Sequence, residues 1–209
     1  PSSAASDVYK RQELKELTKE GKDWEIECEN RSSIVTILAL HGGGIEPATT
    51  ELAYTIAHCG DYNYFSFKGM RSKGNNELHV TSTHYDDQIA LDLVRGSQRT
   101  VAIHGCEGNE SVAYIGGSDD RLIELITESL EDIGISVREA PHHISGTQEN
   151  NIVNMTQTQG GVQLELTAQL RKELFKNRKS SRKNRENKDN WDDLMYDFAD
   201  AMKKAIERA

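Results

Sequence analysis

Two histidines each follow an apolar run, and a glutamate follows one of them closely. His41 comes directly after TILAL, and His104 comes directly after VAI. Three glycines and an isoleucine separate His41 from Glu46. Apolar runs of this kind are typical of buried strands, and open α/β sheets bind ligands beyond the carboxyl ends of their strands. If the two strands are parallel, both imidazoles reach the same edge of the sheet.

Two histidines and one carboxylate are a common ligand set of catalytic zinc sites. Glycine adopts backbone angles that other residues avoid, so the glycine run allows Glu46 to fold back and is expected to leave room around an ion. A tight structural turn is the alternative interpretation. A phosphate-binding loop is disfavoured, because the GxxxxGK[ST] and GxGxxG spacings are absent and GGGIEP has no lysine. The spacing favours a metal site made by His41, Glu46 and His104.

The segment GVQLELT alternates between apolar and polar side chains. Val162, Leu164 and Leu166 are predicted to face one side of a strand, and Gln163 and Glu165 the other. A carboxylate in the middle of a strand costs free energy if it is buried without a partner. Two interpretations remain open: a half-exposed edge strand, or a general base that faces the water of a metal site.

The remaining histidines are assigned by their surroundings. His79 and His84 are expected either to pack and hydrogen-bond or to line the cleft. His142 and His143 precede a loop and are expected to face solvent.

Alternating strand and helix patterns must position these residues. Several strands are wholly apolar, which indicates a three-layer α/β domain with a mixed, largely parallel sheet and helices on both faces. Strands are predicted at 32–40, 63–69, 76–84, 99–105, 110–117, 135–140 and 160–167, and helices at 47–60, 86–97, 118–134, 168–177 and 189–208.

Length and charge limit the class of protein. The 209 residues suffice for one domain with a core, expected over residues 13–209, whereas residues 1–12 are expected to be a disordered or artefactual leader. No apolar run approaches the ~18 residues of a membrane helix. The net charge of −9 argues against nucleic-acid binding, and three widely spaced cysteines without a CxxC pair indicate a reduced, cytoplasmic protein, which we expect to be a monomer.

One segment departs from the acidic average. Residues 171–188 hold nine of the 25 Lys and Arg residues. A solvated helix end and linker is the ordinary interpretation of such a run. The alternative interpretation is a surface that binds a polyanion.

Five motifs are distributed along the chain: TILALHGGGIEPATTELAYTIA, NELHVTSTHYDD, VAIHGCEG, AYIGGSDDRL and GVQLELTAQLRKELF. They resemble those of the poly-γ-glutamate hydrolase family of Bacillus phages and their bacterial homologues. The motifs occur in order, from about Asp23 to the closing helix. The resemblance implies a fold similar to that of zinc carboxypeptidases, with one zinc ion held by His41, Glu46 and His104 and with Glu165 as general base. Leu40 stands where many relatives are expected to have proline.

The resemblance also implies a substrate, poly-γ-glutamate, whose γ-glutamyl amide bonds the enzyme would cut to strip a capsule or to use the polymer as a nutrient. Each γ-linked residue keeps a free α-carboxylate, so subsites with Arg or Lys are expected. Candidates are Arg71, Arg171, Arg95 and Lys73, the first two preferred. Two alternatives stay open: a zinc hydrolase of short acyl-amino acids or of a peptidoglycan γ-linkage, and a non-catalytic polyanion-binding module.

Overall fold

A seven-stranded sheet forms the centre of the computed structural model, which describes residues 10–209. The strand order is β1-β3-β2-β4-β7-β5-β6. In chain order the strands are β1 (Trp24–Glu29), β2 (Val35–Gly43), β3 (Asn63–Gly69), β4 (Arg99–Cys106), β5 (Val112–Gly117), β6 (Ser136–Glu139) and β7 (Val162–Thr167).

Most neighbouring strands are parallel. β3, β2, β4 and β7 run parallel in the middle of the sheet, and β5 is parallel to β6. The pairs β1–β3 and β5–β7 are antiparallel. The predicted mixed, largely parallel sheet is confirmed, and the parallel middle carries both histidines of the predicted metal site to one edge.

Helices cover both faces of the sheet, which confirms the three-layer arrangement. The core on one face includes residues of α2, α4 and α7, and the core on the other includes residues of α1 and α3. No helix within residues 10–209 is long and apolar enough to cross a membrane. The helices are α1 (Arg11–Leu17), α2 (Thr49–Gly60), α3 (Gln88–Arg95), α4 (Asp120–Asp132), α5 (Ala168–Glu173), α6 (Arg182–Arg185) and α7 (Asp193–Arg208).

Side-chain caps fix where four of these helices begin. Asp87, Asp119, Thr167 and Asp192 each accept a hydrogen bond from a backbone N–H in the first turn of the helix that follows. Such a cap satisfies one of the N–H groups that have no partner within the helix. The Thr167 cap starts α5 directly after β7, so the strand with Glu165 and the helix with Arg171 have a fixed relative position.

Strand β7 lies between β4 and β5, so the edge-strand interpretation of this segment is wrong. Val162, Leu164 and Leu166 belong to the core on the α2, α4 and α7 side, as the alternation predicts. Glu165 is only 7% exposed on the opposite face.

Several elements differ from the prediction, and helices α1 and α6 are among those not predicted. Residues 76–84 do not form a strand but two short 3₁₀ helices, Asn75–Leu78 and Ser82–His84. The alternation of apolar and polar residues covers only a few positions there. A strand would also find no free edge at β3, because β1 pairs with β3 on that side. Strand β1 was not predicted; Lys68 of β3 holds it by ion pairs to Glu25 and Glu27 at 2.9 and 2.7 Å.

Helix α1 begins within the segment expected to be a leader. Arg11 and Gln12 belong to α1, and the Arg11 side chain is fully buried. Its guanidinium carbon lies 3.8 Å from the ring centre of Phe67 and 4.5 Å from that of Trp24. Cation–π contact and burial therefore tie this segment to the sheet. Residues 1–9 of the predicted leader lie outside the described residues.

Candidate metal centre

A local irregularity in β2 positions His41. The pairing of β2 with β3 shifts register between Ala39 and Gly42, which inserts one extra residue into β2 at this point. His41 is 3% exposed, and its Nε2 lies 2.7 Å from the carbonyl oxygen of Val80. A carbonyl only accepts, so Nε2 carries the proton and Nδ1 is left with its lone pair free. A metal-ligating histidine is commonly oriented in this way.

The glycine turn brings Glu46 back to His41. The Glu46 N–H donates to the carbonyl oxygen of His41 at 2.8 Å, and Gly43 has a positive φ of 62°. A side chain at Gly42 would collide with Thr50 and Ser66, and one at Gly44 would collide with Asn75. The glycines therefore allow neighbouring chain segments to approach closely. The expectation that they leave room around an ion is wrong.

Three potential ligand atoms converge beside this turn. Nδ1 of His41 lies 3.1 Å from Glu46 Oε1 and 3.1 Å from Nδ1 of His104. The other Glu46 oxygen, Oε2, accepts from the Gly105 N–H at 2.8 Å. One ligand atom from each residue of the trio lies within 4.8 Å of the others. This donor set suits zinc, which is bound by imidazole nitrogen and carboxylate oxygen.

The electrostatics of the trio agree with a metal site. Burial acts to raise the pKa of Glu46, but the imidazoles of His41 and His104 outweigh it and hold that pKa well below its usual range. The carboxylate is therefore ionised, as a ligand must be. A further imidazole, that of His79, is stacked on His41 at 3.8 Å, and the proximity of His41 together with burial lowers the pKa of His79 to about 3.

Glu165 faces the same region from the neighbouring strand. It is paired in register with His104 across β4 and β7. Burial raises the pKa of Glu165 to about 7, although the nearby His104 acts to lower it. A carboxyl group with such a pKa can both accept and release a proton near neutral pH.

These residues line one side of a cleft of about 500 Å³. The lining is largely polar, and no Lys or Arg of residues 10–209 belongs to it. Besides the trio and Glu165, it comprises His79, Thr81, Ser82, Thr83, Gly105, Cys106, His142, His143, Ile144, Ser145, Gly146, Gln148, Asn151 and Gln163.

The four candidate substrate-binding cations lie outside the lining of the cleft. Arg71 pairs with Asp23 at 2.7 Å and with Glu77 at 2.8 Å. Arg95, the last residue of α3, and Lys73 are exposed. All four have the right charge, but residue type alone does not tell a substrate-binding cation from one that pairs within the protein.

The Arg171 side chain is hydrogen-bonded within the protein. Its guanidinium donates to the carbonyl oxygens of Leu166, Pro47 and Cys106 at 3.1, 3.0 and 3.1 Å, and the residue is 9% exposed. These bonds join α5 to the end of β4 and to the turn that carries Glu46. Arg171 therefore stabilises the strand end and the turn next to the candidate metal centre.

Two histidines on the rim were not predicted to belong to the site. His142 and His143 form most of the 3₁₀ helix His142–Ile144 at the mouth of the cleft, and both are exposed. Their loop is held over the cleft by long-range bonds, from Gly117 N to Ser145 O and from Gln163 Nε2 to Ile144 O. No local pattern indicates these contacts. Of the pair left open, His79 lines the cleft and His84 does not.

Comparison with known proteins agrees with this site. A family model described as poly-gamma-glutamate hydrolase matches residues 9–201. The SPbeta prophage-derived protein YoqZ of Bacillus subtilis (strain 168) is 39% identical over 143 residues, 68% of this chain and 52% of that protein, so the chain spans about half the length of this relative. The protein YndL of the same strain is 32% identical over 82% of this chain and 68% of its own length.

Two solved structures have nearly the same fold. A bacteriophage poly-gamma-glutamate hydrolase is 31% identical, covers 97% of both chains and has a TM-score of 0.92. The zinc-free form of YndL is 30% identical, covers 96% of this chain and 98% of its own, and has a TM-score of 0.89.

Proposed function

The chain belongs to the poly-gamma-glutamate hydrolase family, and we propose that it hydrolyses the γ-glutamyl amide bonds of poly-γ-glutamate with a zinc ion held by His41, Glu46 and His104. The observation that carries the proposal is the convergence of two imidazole nitrogens and a carboxylate oxygen in a cleft that also contains Glu165.

The fit of zinc is supported by atoms that otherwise lack a suitable partner. Nδ1 of His41 and Nδ1 of His104 lie 3.1 Å apart. Because Nε2 of His41 donates to the carbonyl oxygen of Val80, its Nδ1 is an acceptor, yet it also lies 3.1 Å from Oε1 of Glu46, an acceptor that cannot hydrogen-bond to it. A cation between the two imidazoles and Glu46 would satisfy all three groups. Zinc bound there supplies Lewis acidity, which polarises an amide carbonyl and makes water a stronger acid.

Glu165 has the environment of a general base. Its carboxylate lies in the cleft on the strand next to His104, and burial brings its pKa to about 7. In hydrolysis it accepts a proton from the attacking water and then donates that proton to the nitrogen of the leaving amine, which leaves as a neutral amine. A carboxyl with a normal pKa would accept the proton less readily.

Substrate carboxylates in the cleft have mainly neutral donors to bind. Hydroxyls of Thr81, Ser82 and Thr83 and the rim imidazoles of His142 and His143 face the cavity. A polar lining without lysine or arginine suits a substrate bound by several hydrogen bonds, each of modest strength.

The proposal is tested by following the size and viscosity of poly-γ-glutamate with purified protein. We expect rapid loss of viscosity, no loss after treatment with a chelator, and recovery when zinc is added back. A rapid early fall in viscosity with few new amino termini identifies internal cleavage. Activity confined to short acyl-amino acids or to a peptidoglycan γ-linkage would favour the alternative hydrolase, and no hydrolysis of any of these with zinc present would favour a binding module.

A further inference from the structure

A strongly basic segment lies in this acidic protein. Residues 171–188 contain nine Lys and Arg but only two Glu, a net charge of +7, so the remaining residues carry −16 against −9 for the whole chain. Two of the cations, Arg171 and Arg185, are buried and bonded within the protein. Most of the others are exposed.

Four exposed side chains of this segment make no ion pair or hydrogen bond within residues 10–209. They are Lys172, Arg178, Lys179 and Lys183, which we name the basic surface. The neighbouring cations differ, because Arg182 pairs with Glu186 at 2.7 Å and Lys176 donates to the carbonyl oxygen of Asp189 at 2.8 Å. The basic surface therefore keeps its charge available to a partner.

The backbone at this surface is held in an unfavourable conformation. Asn177 and Arg178 both have a φ of 56°, in the left-handed region that residues with side chains rarely adopt. Hydrogen bonds from Arg178 N to Phe175 O and from Lys179 N to Lys176 O hold the turn. The backbone that carries Arg178 and Lys179 therefore has a defined turn conformation.

The segment is joined by hydrogen bonds to the turn that carries Glu46 and to neighbouring chain. Arg171, next to Lys172, binds the carbonyl oxygens of Pro47 and Cys106. Arg182, next to Lys183, lies 3.3 Å from the carbonyl oxygen of Met70, and the preceding Gly69 accepts from Gly44 N. Glu46 of this turn and Cys106 line the cleft, so the segment that carries the basic surface is bonded to chain that borders the cleft.

Charge in the cleft alone does not attract a polyanion. The lining contains Glu46 and Glu165 and none of the Lys or Arg of residues 10–209. A polymer with one carboxylate in each residue would therefore gain long-range attraction from cations outside the cleft.

We propose that the basic surface binds the carboxylates of a poly-γ-glutamate chain beyond the cleft, a claim that rests on the proposed function for the identity of the polymer. Single exposed ion pairs are weak, but several on one connected chain act together because each contact raises the local concentration of the next carboxylate. Long polymer then gains more from this surface than a short oligomer that only fills the cleft.

The test replaces Lys172, Arg178, Lys179 and Lys183 together by glutamine. A matched control replaces Arg121, Lys203, Lys204 and Arg208, which lie on α4 and α7, by glutamine. For long polymer we expect kcat/KM to fall roughly tenfold in low salt in the first variant and to change less than about twofold in the control. Hydrolysis of a short oligo-γ-glutamate should be unchanged in both.

Binding is measured separately from turnover. Fluorescence anisotropy of labelled long poly-γ-glutamate measures affinity, with both sets of changes placed in the Glu165→Gln protein. We expect the basic-surface variant, but not the control, to lose affinity roughly tenfold. The affinity of the protein with wild-type cations should fall as salt is added. If the wild-type protein binds the polymer but does not cut it, the proposed function fails and this inference stands. Unchanged affinity and salt dependence in the basic-surface variant would overturn it. Tighter binding of duplex DNA than of the polymer, through the same four residues, would also overturn it.

Discussion

Gln163 donates a hydrogen bond from its Nε2 to Oε1 of Glu165 over 3.0 Å, along the cleft face of β7. Gln163 is itself held, because its Oε1 accepts from Asn151 Nδ2 at 3.1 Å and its Nε2 also donates to the carbonyl oxygen of Ile144 at 3.3 Å. The amide thus links the loop that carries the rim histidines to the proposed general base. Oε1 of Glu165 is thus engaged by the amide of Gln163.

Gln163→Leu removes this support from Glu165 while keeping a similar volume. We expect kcat on poly-γ-glutamate to fall by about 10- to 100-fold, the range for losing a hydrogen bond to a charged group, with KM changed far less and with zinc content unchanged. Steady-state kinetics and metal analysis of the same sample check this. Gln169→Leu is the control, since it removes a similar bond, to Glu173 at 2.8 Å, on α5. Equal losses in the two variants would show a general effect on stability.

The convergence of His41, Glu46 and His104 could be predicted from sequence because it depends on regular geometry. Parallel strands carry residues at their carboxyl ends to one edge, and His41 and His104 each follow an apolar strand pattern. Glu46 is only five residues from His41, so a tight turn suffices to bring it back.

Other parts of the site depend on contacts distant in sequence. The rim histidines reach the cleft through Gly117 and Gln163, which no local pattern links to residues 142–143. Arg171 has the charge expected of a substrate-binding residue, but it is buried and donates to three backbone carbonyl oxygens. Charge is visible in a sequence, whereas the partner of a charge is not.

His142→Ala combined with His143→Ala tests substrate recognition at the rim. Both side chains are exposed and lie away from the metal trio, so zinc content and thermal stability should not change. We expect KM for a short oligo-γ-glutamate to rise about three- to tenfold, the loss of one or two modest hydrogen bonds, with kcat within about twofold. His58→Ala on α2, which also removes a partly exposed imidazole, serves as the control. An unchanged KM in the double variant would remove the histidines from the binding site.

Arg171→Met separates a bracing role from a role in substrate binding. Three buried carbonyl oxygens lose a donor, so the free energy of unfolding should fall by about 2–4 kcal/mol and the affinity for zinc should weaken, because the turn with Glu46 is released. Thermal unfolding and zinc titration measure the two effects. Lys172→Met, at the exposed neighbour, should leave both unchanged. Normal stability and normal zinc affinity with a raised KM would instead assign Arg171 to the substrate.

The central claim is that the trio holds zinc while Glu165 moves the proton. It is tested most directly by measuring zinc content and turnover together in two variants. His104→Ala removes one of three ligands, so bound zinc and activity should both collapse. Glu165→Gln keeps the size and hydrogen bonding of the side chain but accepts no proton, so zinc should stay near one per chain while turnover falls by roughly 10²–10⁴-fold. Loss of zinc in Glu165→Gln would mean that Glu165 is a ligand, and near-normal turnover with zinc retained would contradict the mechanism.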